Sequence, residues 1–109
     1  MASMSTLSPD LFAAKAGEAA ALLRALAHEA RLMVLCQLLE GEHSVGALQE
    51  GSGLSQSALS QHLAKLRDEG LVSTRREAQS IYYRLADEKA ARVLDALASI
   101  YCPPRKRKK

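Results

Sequence analysis

The chain leaves its helical period at Gly70 for a single short stretch, and that change limits the architectures open to it. Up to Gly70 the apolar residues recur at helical spacing. Beyond it, Leu71-Val72-Ser73-Thr74-Arg75-Arg76 and Ser80-Ile81-Tyr82-Tyr83-Arg84-Leu85 are enriched in β-branched and aromatic residues, as strands are. Helical spacing then returns from about Asp87. A single hairpin embedded in a helical chain excludes a sandwich, a barrel or a repeated strand–helix unit. Phe12, Tyr82, Tyr83 and Tyr101 are the only aromatics in 109 residues, so the core falls to Leu, Ala and Val. At this length there is one domain, and oligomerisation is expected because a small protomer buries a modest share of its surface.

Four helices are predicted before the hairpin. Ser8-Pro9-Asp10 is a start signal, and the first helix covers Leu11 to Ala27, with Ala19, Leu22, Leu23 and Leu26 on one side. The second runs from about Glu29 to Glu40, with Leu32, Leu35, Cys36 and Leu39 in step, and stops at Gly41. Ser44 can cap a short third helix, Val45 to Glu50, ended by Gly51-Ser52-Gly53. Ser55 can cap a fourth, Gln56 to Glu69, with Gly70 in the left-handed C-terminal position. Glu77-Ala78-Gln79 reads as the hairpin tip, although it lacks a glycine. A last helix, Asp87 to Tyr101, carries Val93, Leu94, Leu97 and Ile100/Tyr101 on one stripe and ends at Pro103-Pro104. The expected fold is mainly α with a small β-hairpin, the layout of a winged helix-turn-helix. Residues 1–9 are expected to form a flexible lead, 10–102 the folded domain and 103–109 a disordered basic tail.

The fourth helix has two unlike faces. Ala58, Leu59, His62, Leu63 and Leu66 share one arc, and Gln56, Ser57, Ser60, Gln61, Ala64, Lys65 and Arg67 share the other. Small residues allow close approach to a major groove, Gln pairs with adenine edges, and Ser meets bases or phosphates. Lys65 and Arg67 lie where phosphates can be neutralised, and Arg75, Arg76 and Gln79 make the hairpin a cationic wing. The candidate DNA-contacting set is Ser55, Gln56, Ser57, Ser60, Gln61, His62, Lys65, Arg75, Arg76 and Gln79. The alternatives are a solvated hairpin with ordinary surface arginines, and for His62 a packed or edge position. His28 and His43, at helix starts, read as local caps or surface residues.

Charge is localised. Five basic residues at 105–109 exceed the net charge of +3, so the rest of the chain is net negative. Residues 1–51 carry three basic and six acidic groups, whereas 52–86 carry five and three. The excess cation thus coincides with the proposed reading segment, which suits an anionic partner. No apolar run approaches the ~20 residues of a membrane span. Met1 to Pro9 lacks the pattern of a secretory signal, so a cytoplasmic location is expected. No Ser/His/Asp or Cys/His arrangement with a pocket and no phosphate loop is present, and an enzyme is not expected. The two cysteines, Cys36 and Cys102, lack paired CxxC spacing. Taken singly, Cys36 reads as a small core residue and Cys102 as an idle surface thiol.

Ala27-His28-Glu29-Ala30-Arg31-Leu32, Ser44-Val45-Gly46-Ala47-Leu48, Leu54 to Leu63 (LSQSALSQHL) and Gly70-Leu71-Val72 together resemble ArsR-type transcriptional repressors over roughly residues 18–102. With Arg75-Arg76-Glu77-Ala78-Gln79-Ser80-Ile81-Tyr82-Tyr83, the chain is most similar to the persulfide-responsive BigR/SqrR branch and its HlyU-type neighbours. The resemblance implies a homodimer joined by the first and last helices, with Leu22, Leu26, Val93, Leu94, Leu97 and Tyr101 at the interface. It also implies paired recognition helices on a pseudo-palindromic operator. In that branch one cysteine lies in the second helix and one at the end of the last, the places of Cys36 and Cys102, so low-molecular-weight persulfides are the implied inducer. A general thiol-oxidation switch is the first alternative, and a metal-sensing repressor using Cys36 and Cys102 with a histidine is the second. The metal-sensing relatives use a Cys-x-Cys on the third helix or Asp and His on the final helix. Here the third helix has no thiol and the final helix no histidine, so neither metal nor cofactor is expected.

Overall fold

A computed structural model describes residues 9–102. The order is α1 (Pro9–Leu26), α2 (Glu29–Leu38), β1 (His43–Ser44), α3 (Val45–Ser52), α4 (Gln56–Asp68), β2 (Val72–Glu77), β3 (Ser80–Leu85) and α5 (Glu88–Tyr101). Pro9 belongs to α1 rather than to the lead. Residues 1–8, the basic tail and the Pro103-Pro104 stop lie outside the described residues.

Each helix after α1 begins at a side chain that takes up a free backbone N–H. His28 Nδ1 accepts from Ala30 N at 3.2 Å, Ser44 Oγ from Ala47 N at 3.2 Å and Ser55 Oγ from Ala58 N at 3.1 Å. Asp87 Oδ1 accepts from Lys89 N at 2.8 Å and Ala90 N at 3.1 Å. Such caps stabilise a helix by ~1 kcal/mol each. The expected third-helix stop is displaced: α3 continues through Gly51 and Ser52, and Gly53, at φ 72°, closes it. Gly51 packs inside the helix against the Gln37 side-chain amide of α2, which would have to swing aside for a β-carbon there.

The end of α4 sets the transition to the sheet. Gly70 takes φ 77°, its N–H donates to Arg67 O at 3.0 Å, and Leu71 N donates to Leu66 O at 2.9 Å. This is a Schellman closure, and Leu71 and Leu66 both join the core, as that motif favours. The hairpin then forms with Val72 opposite Leu85 and Glu77 opposite Ser80. Its turn is Ala78-Gln79, one residue shorter than expected, with Ala78 at φ 57°. A third strand not anticipated from sequence, β1, adds to β3 with His43 opposite Tyr83 and Ser44 opposite Tyr82, giving the sheet order β1-β3-β2.

The core is aliphatic and draws on every helix. Leu35, Leu48, Leu59, Leu66, Leu94 and Val34 are its largest fully buried side chains. Leu26 and Leu94, expected at a dimer interface, lie inside this core. Both are buried within the protomer, Leu94 on a helix that packs against α2 and β3, so their side chains are covered by the chain's own core. Arg31 ties two helix ends together, donating to Ala25 O at 3.1 Å and pairing with Glu69 at 3.6 Å.

Candidate nucleic-acid interface and cysteine pair

α3, the Gly53-Leu54-Ser55 turn and α4 form the helix-turn-helix, and β2–β3 the wing. Leu59, Leu63 and Leu66 anchor α4 in the core. Gln56, Ser57, Ser60, Gln61, Ala64 and Lys65 are all exposed on its other side. Ser55, also exposed, accepts the cap bond through Oγ and keeps its hydroxyl proton free to donate. The outer surface is therefore a strip of hydroxyls and amides ending in the cations Lys65 and Arg67.

His62 is not on that strip. It is half-buried against the α2 cap, its ring 4.9 Å from that of His28. Burial pushes the His62 pKa down, and the neighbouring His28 and Arg31 charges push it the same way. The helical wheel already placed His62 with the leucines, and the structure keeps it there.

The two arginines of β2 differ. Arg75 Nε and Nη2 donate to the two carboxylate oxygens of Glu42, each at 2.8 Å, and Nη1 donates to Glu77 at 2.7 Å. Its guanidinium carbon lies 4.8 Å from the Tyr82 ring centroid. The Arg75 hydrogen bonds hold the Glu42 carboxyl below its ordinary pKa and raise that of the guanidinium. All three guanidinium nitrogens are thus engaged by carboxylates in the DNA-free protein. Arg76, one residue on and therefore on the opposite face of the strand, is exposed and has no ion pair among the described residues, and Gln79 is exposed at the tip. Glu42 was missed because nothing in the sequence links it to a residue 33 positions away.

The cysteines are free thiols on two packed helices, α2 and α5. Cys36 is half-buried, packed against the core. Cys102 is exposed at the C-cap of α5, its N–H donating to Ala98 O at 2.8 Å. Burial raises the Cys36 pKa, and the negative charge of a Cys102 thiolate raises it further, so the two sulfurs lie within electrostatic reach of one another.

Of the expected interface residues, Leu22, Val93 and Leu97 are half-buried and Tyr101 is 78% exposed. Leu23 and Ile100, already on the apolar stripes read from sequence, and Phe12, which was not, are further exposed apolar side chains of α1 and α5. Among the described residues no cluster of three or more His, Cys, Asp or Glu side chains could hold a metal ion, and no helix is long and apolar enough to cross a membrane.

Residues 28–74 match the family model of the bacterial regulatory protein, arsR family. The biofilm growth-associated repressor of Agrobacterium fabrum is 53% identical over 90 residues, 83% of this chain and 77% of that protein. The crystal structure of the transcriptional repressor BigR from Xylella fastidiosa superposes with a TM-score of 0.83 at 44% identity, covering 90% of this chain and 100% of that one. The homodimeric winged helix-turn-helix DNA-binding domain of a possible ArsR-family regulator from Mycobacterium bovis gives a TM-score of 0.69 at 34% identity, over 87% and 88% of the two chains.

Proposed function

This chain belongs to the arsR family of bacterial regulatory proteins and is a winged helix-turn-helix transcriptional repressor of the biofilm growth-associated type; from that premise we propose that it binds operator DNA as a homodimer and leaves it when persulfide bridges Cys36 and Cys102. The observation that carries the reading is the placement of two free thiols, one on α2 and one closing α5, within electrostatic reach.

Two copies of α4 enter successive major grooves, with half-sites about one helical turn apart. Ser55, Gln56, Ser57, Ser60 and Gln61 face the bases and nearby phosphates, Lys65 meets phosphate, and Arg76 and Gln79 meet the flanking minor groove. Homodimerisation is supported by the exposed apolar residues of α1 and α5 and by the homodimeric M. bovis structure.

The chemistry starts at Cys102. It is exposed, whereas burial and the Cys102 charge both disfavour the Cys36 thiolate. The Cys102 thiolate attacks the outer sulfur of a persulfide R–S–SH, the S–S bond breaks, and R–S⁻ leaves with Cys102 as Cys–S–SH. The Cys36 thiolate then attacks the Cys102 Sγ, and HS⁻ departs as the disulfide closes. The persulfide is the oxidant, and no other is needed. A longer bridge consumes further persulfide. The bridge locks the end of α5, part of the dimer face, to α2 of the reading head. A dimer geometry with the wrong spacing of α4 helices then loses affinity by ~1–3 kcal/mol, the usual size of such couplings.

Intact mass spectrometry tests the order and the specificity. With glutathione persulfide, Cys36→Ser is expected to gain one sulfur atom and stop, and Cys102→Ser to take up none. The wild type is expected to close its bridge with persulfide and to stay reduced with peroxide or oxidised glutathione. Loss of two hydrogens under every oxidant would replace the persulfide sensor with a general redox switch.

A further inference from the structure

We propose that Arg75 and Glu42 form the strut that holds the wing at its working angle, so that Arg75 positions the wing and does not itself contact DNA. The inference deepens the DNA-binding reading by dividing the two arginines of β2 between support and contact.

Glu42 follows Gly41 and immediately precedes β1, whose second residue, Ser44, caps α3. Arg75 lies on β2, at the far side of the sheet, because β3 runs between β1 and β2. The two-pronged contact therefore reaches over β3 and joins the start of the helix-turn-helix to the outer arm of the hairpin. β1 is only two residues long, so its pairing with β3 gives the sheet little resistance to twisting. The Arg75–Glu42 contact supplies a second tie at the same edge, with the planar geometry that fixes direction as well as distance. Glu77 takes the third nitrogen from the same strand, and the Tyr82 ring, opposite Arg75 in register, lies against the guanidinium.

Alternation along β2 then assigns the contact. Arg75 and Glu77 share one face of the strand, and Arg76 projects from the other with no acid partner among the described residues. Arg76 is the β2 cation left for phosphate or groove, and its placement depends on the strut behind it.

Glu42→Gln gives an unusual expected sign. Removing an acid near a DNA-binding surface ordinarily strengthens binding; loss of the strut weakens it. The test uses a duplex selected by the wild-type protein from a random-sequence pool, with affinity followed against salt concentration. Glu42→Gln and Arg75→Ala are expected to weaken binding roughly 3- to 10-fold at an unchanged salt slope, because no phosphate contact is lost. Arg75→Lys is expected to follow them, since an ammonium cannot hold both oxygens. Arg76→Ala is expected to lower the slope by about one. The exchange Glu42→Arg/Arg75→Glu is expected to restore most of the lost affinity. Equal or tighter binding by Glu42→Gln, or a slope lowered by Arg75→Ala, would overturn the proposal. Hydrogen exchange of the amides at 72–85 in the DNA-free protein provides an arm that does not depend on DNA binding. Faster exchange in Glu42→Gln supports the strut even if no duplex is selected, and unchanged exchange refutes it.

Discussion

The reading head and the dimer end of this protomer are finished to different degrees. In the head, α4 buries Leu59, Leu63 and Leu66 completely or nearly so, its cap and its C-terminal closure are satisfied, and its outer face is polar. At the other end, α5 is well buried at Ala90 and Leu94 but leaves Ile100 68% and Tyr101 78% exposed, and α1 likewise exposes Phe12 and Leu23. The head is complete as a single chain, whereas the α1/α5 end presents apolar surface, the face assigned to a second copy in the proposed homodimer. Cys36 packs against the core on α2 and Cys102 closes α5, so the proposed bridge would tie one end to the other.

If the head is self-sufficient, its weak points lie within one chain. Leu59→Ala, at a fully buried site, is expected to lower the free energy of unfolding by ~2–5 kcal/mol in urea titrations. The loss should appear whatever the protein concentration. Tyr101→Ala sharpens the contrast from the other side. It is expected to weaken the dimer by ~2 kcal/mol, about 30-fold in dissociation constant by sedimentation equilibrium, while the far-ultraviolet circular dichroism of the protomer stays the same. A dimer unaffected by this change would erase the distinction between the two ends.

Smaller effects probe the head in more detail. Ala78 occupies a left-handed backbone conformation that glycine adopts without steric cost. Ala78→Gly is therefore expected to raise stability by several tenths to ~1 kcal/mol, read as a higher thermal midpoint. The smallest expected effect is in pH. His62 has its pKa depressed in the folded state, so the unfolded chain takes up its proton first as pH falls. Its contribution is complete above the unfolded value of ~6.5 and is lost progressively as pH drops through the folded value. His62→Gln should flatten the stability profile below pH ~6.5 relative to the wild type.

The parts of this fold that were legible in the sequence are those fixed by local chemistry. Ser44 and Ser55 announce their helices by side chains that satisfy backbone donors three residues on, and Gly70 announces a positive φ that other residues resist. The polar strip of α4 follows from the helical period alone. What was not legible depends on long-range geometry. A two-residue strand such as His43–Ser44 has no period to detect and exists because β3 offers it an edge. Helical spacing puts Leu22, Leu26, Val93, Leu94 and Leu97 on apolar stripes, but it does not say which flank meets the chain's own core, and Leu26 and Leu94 went inward. Arg75 and Arg76 look alike as a dipeptide, and only the approach of Glu42 across the sheet separates them.

The central claim, that the two cysteines couple the finished head to the unfinished end, is tested most directly by following DNA release. Wild-type protein and Cys36→Ser are bound to the selected duplex and titrated with glutathione persulfide under fluorescence anisotropy. The account predicts equal starting affinities, a fall of ~5- to 150-fold for the wild type and none for Cys36→Ser. Equal release by both proteins, or a wild type that stays bound after its bridge has closed, would contradict it.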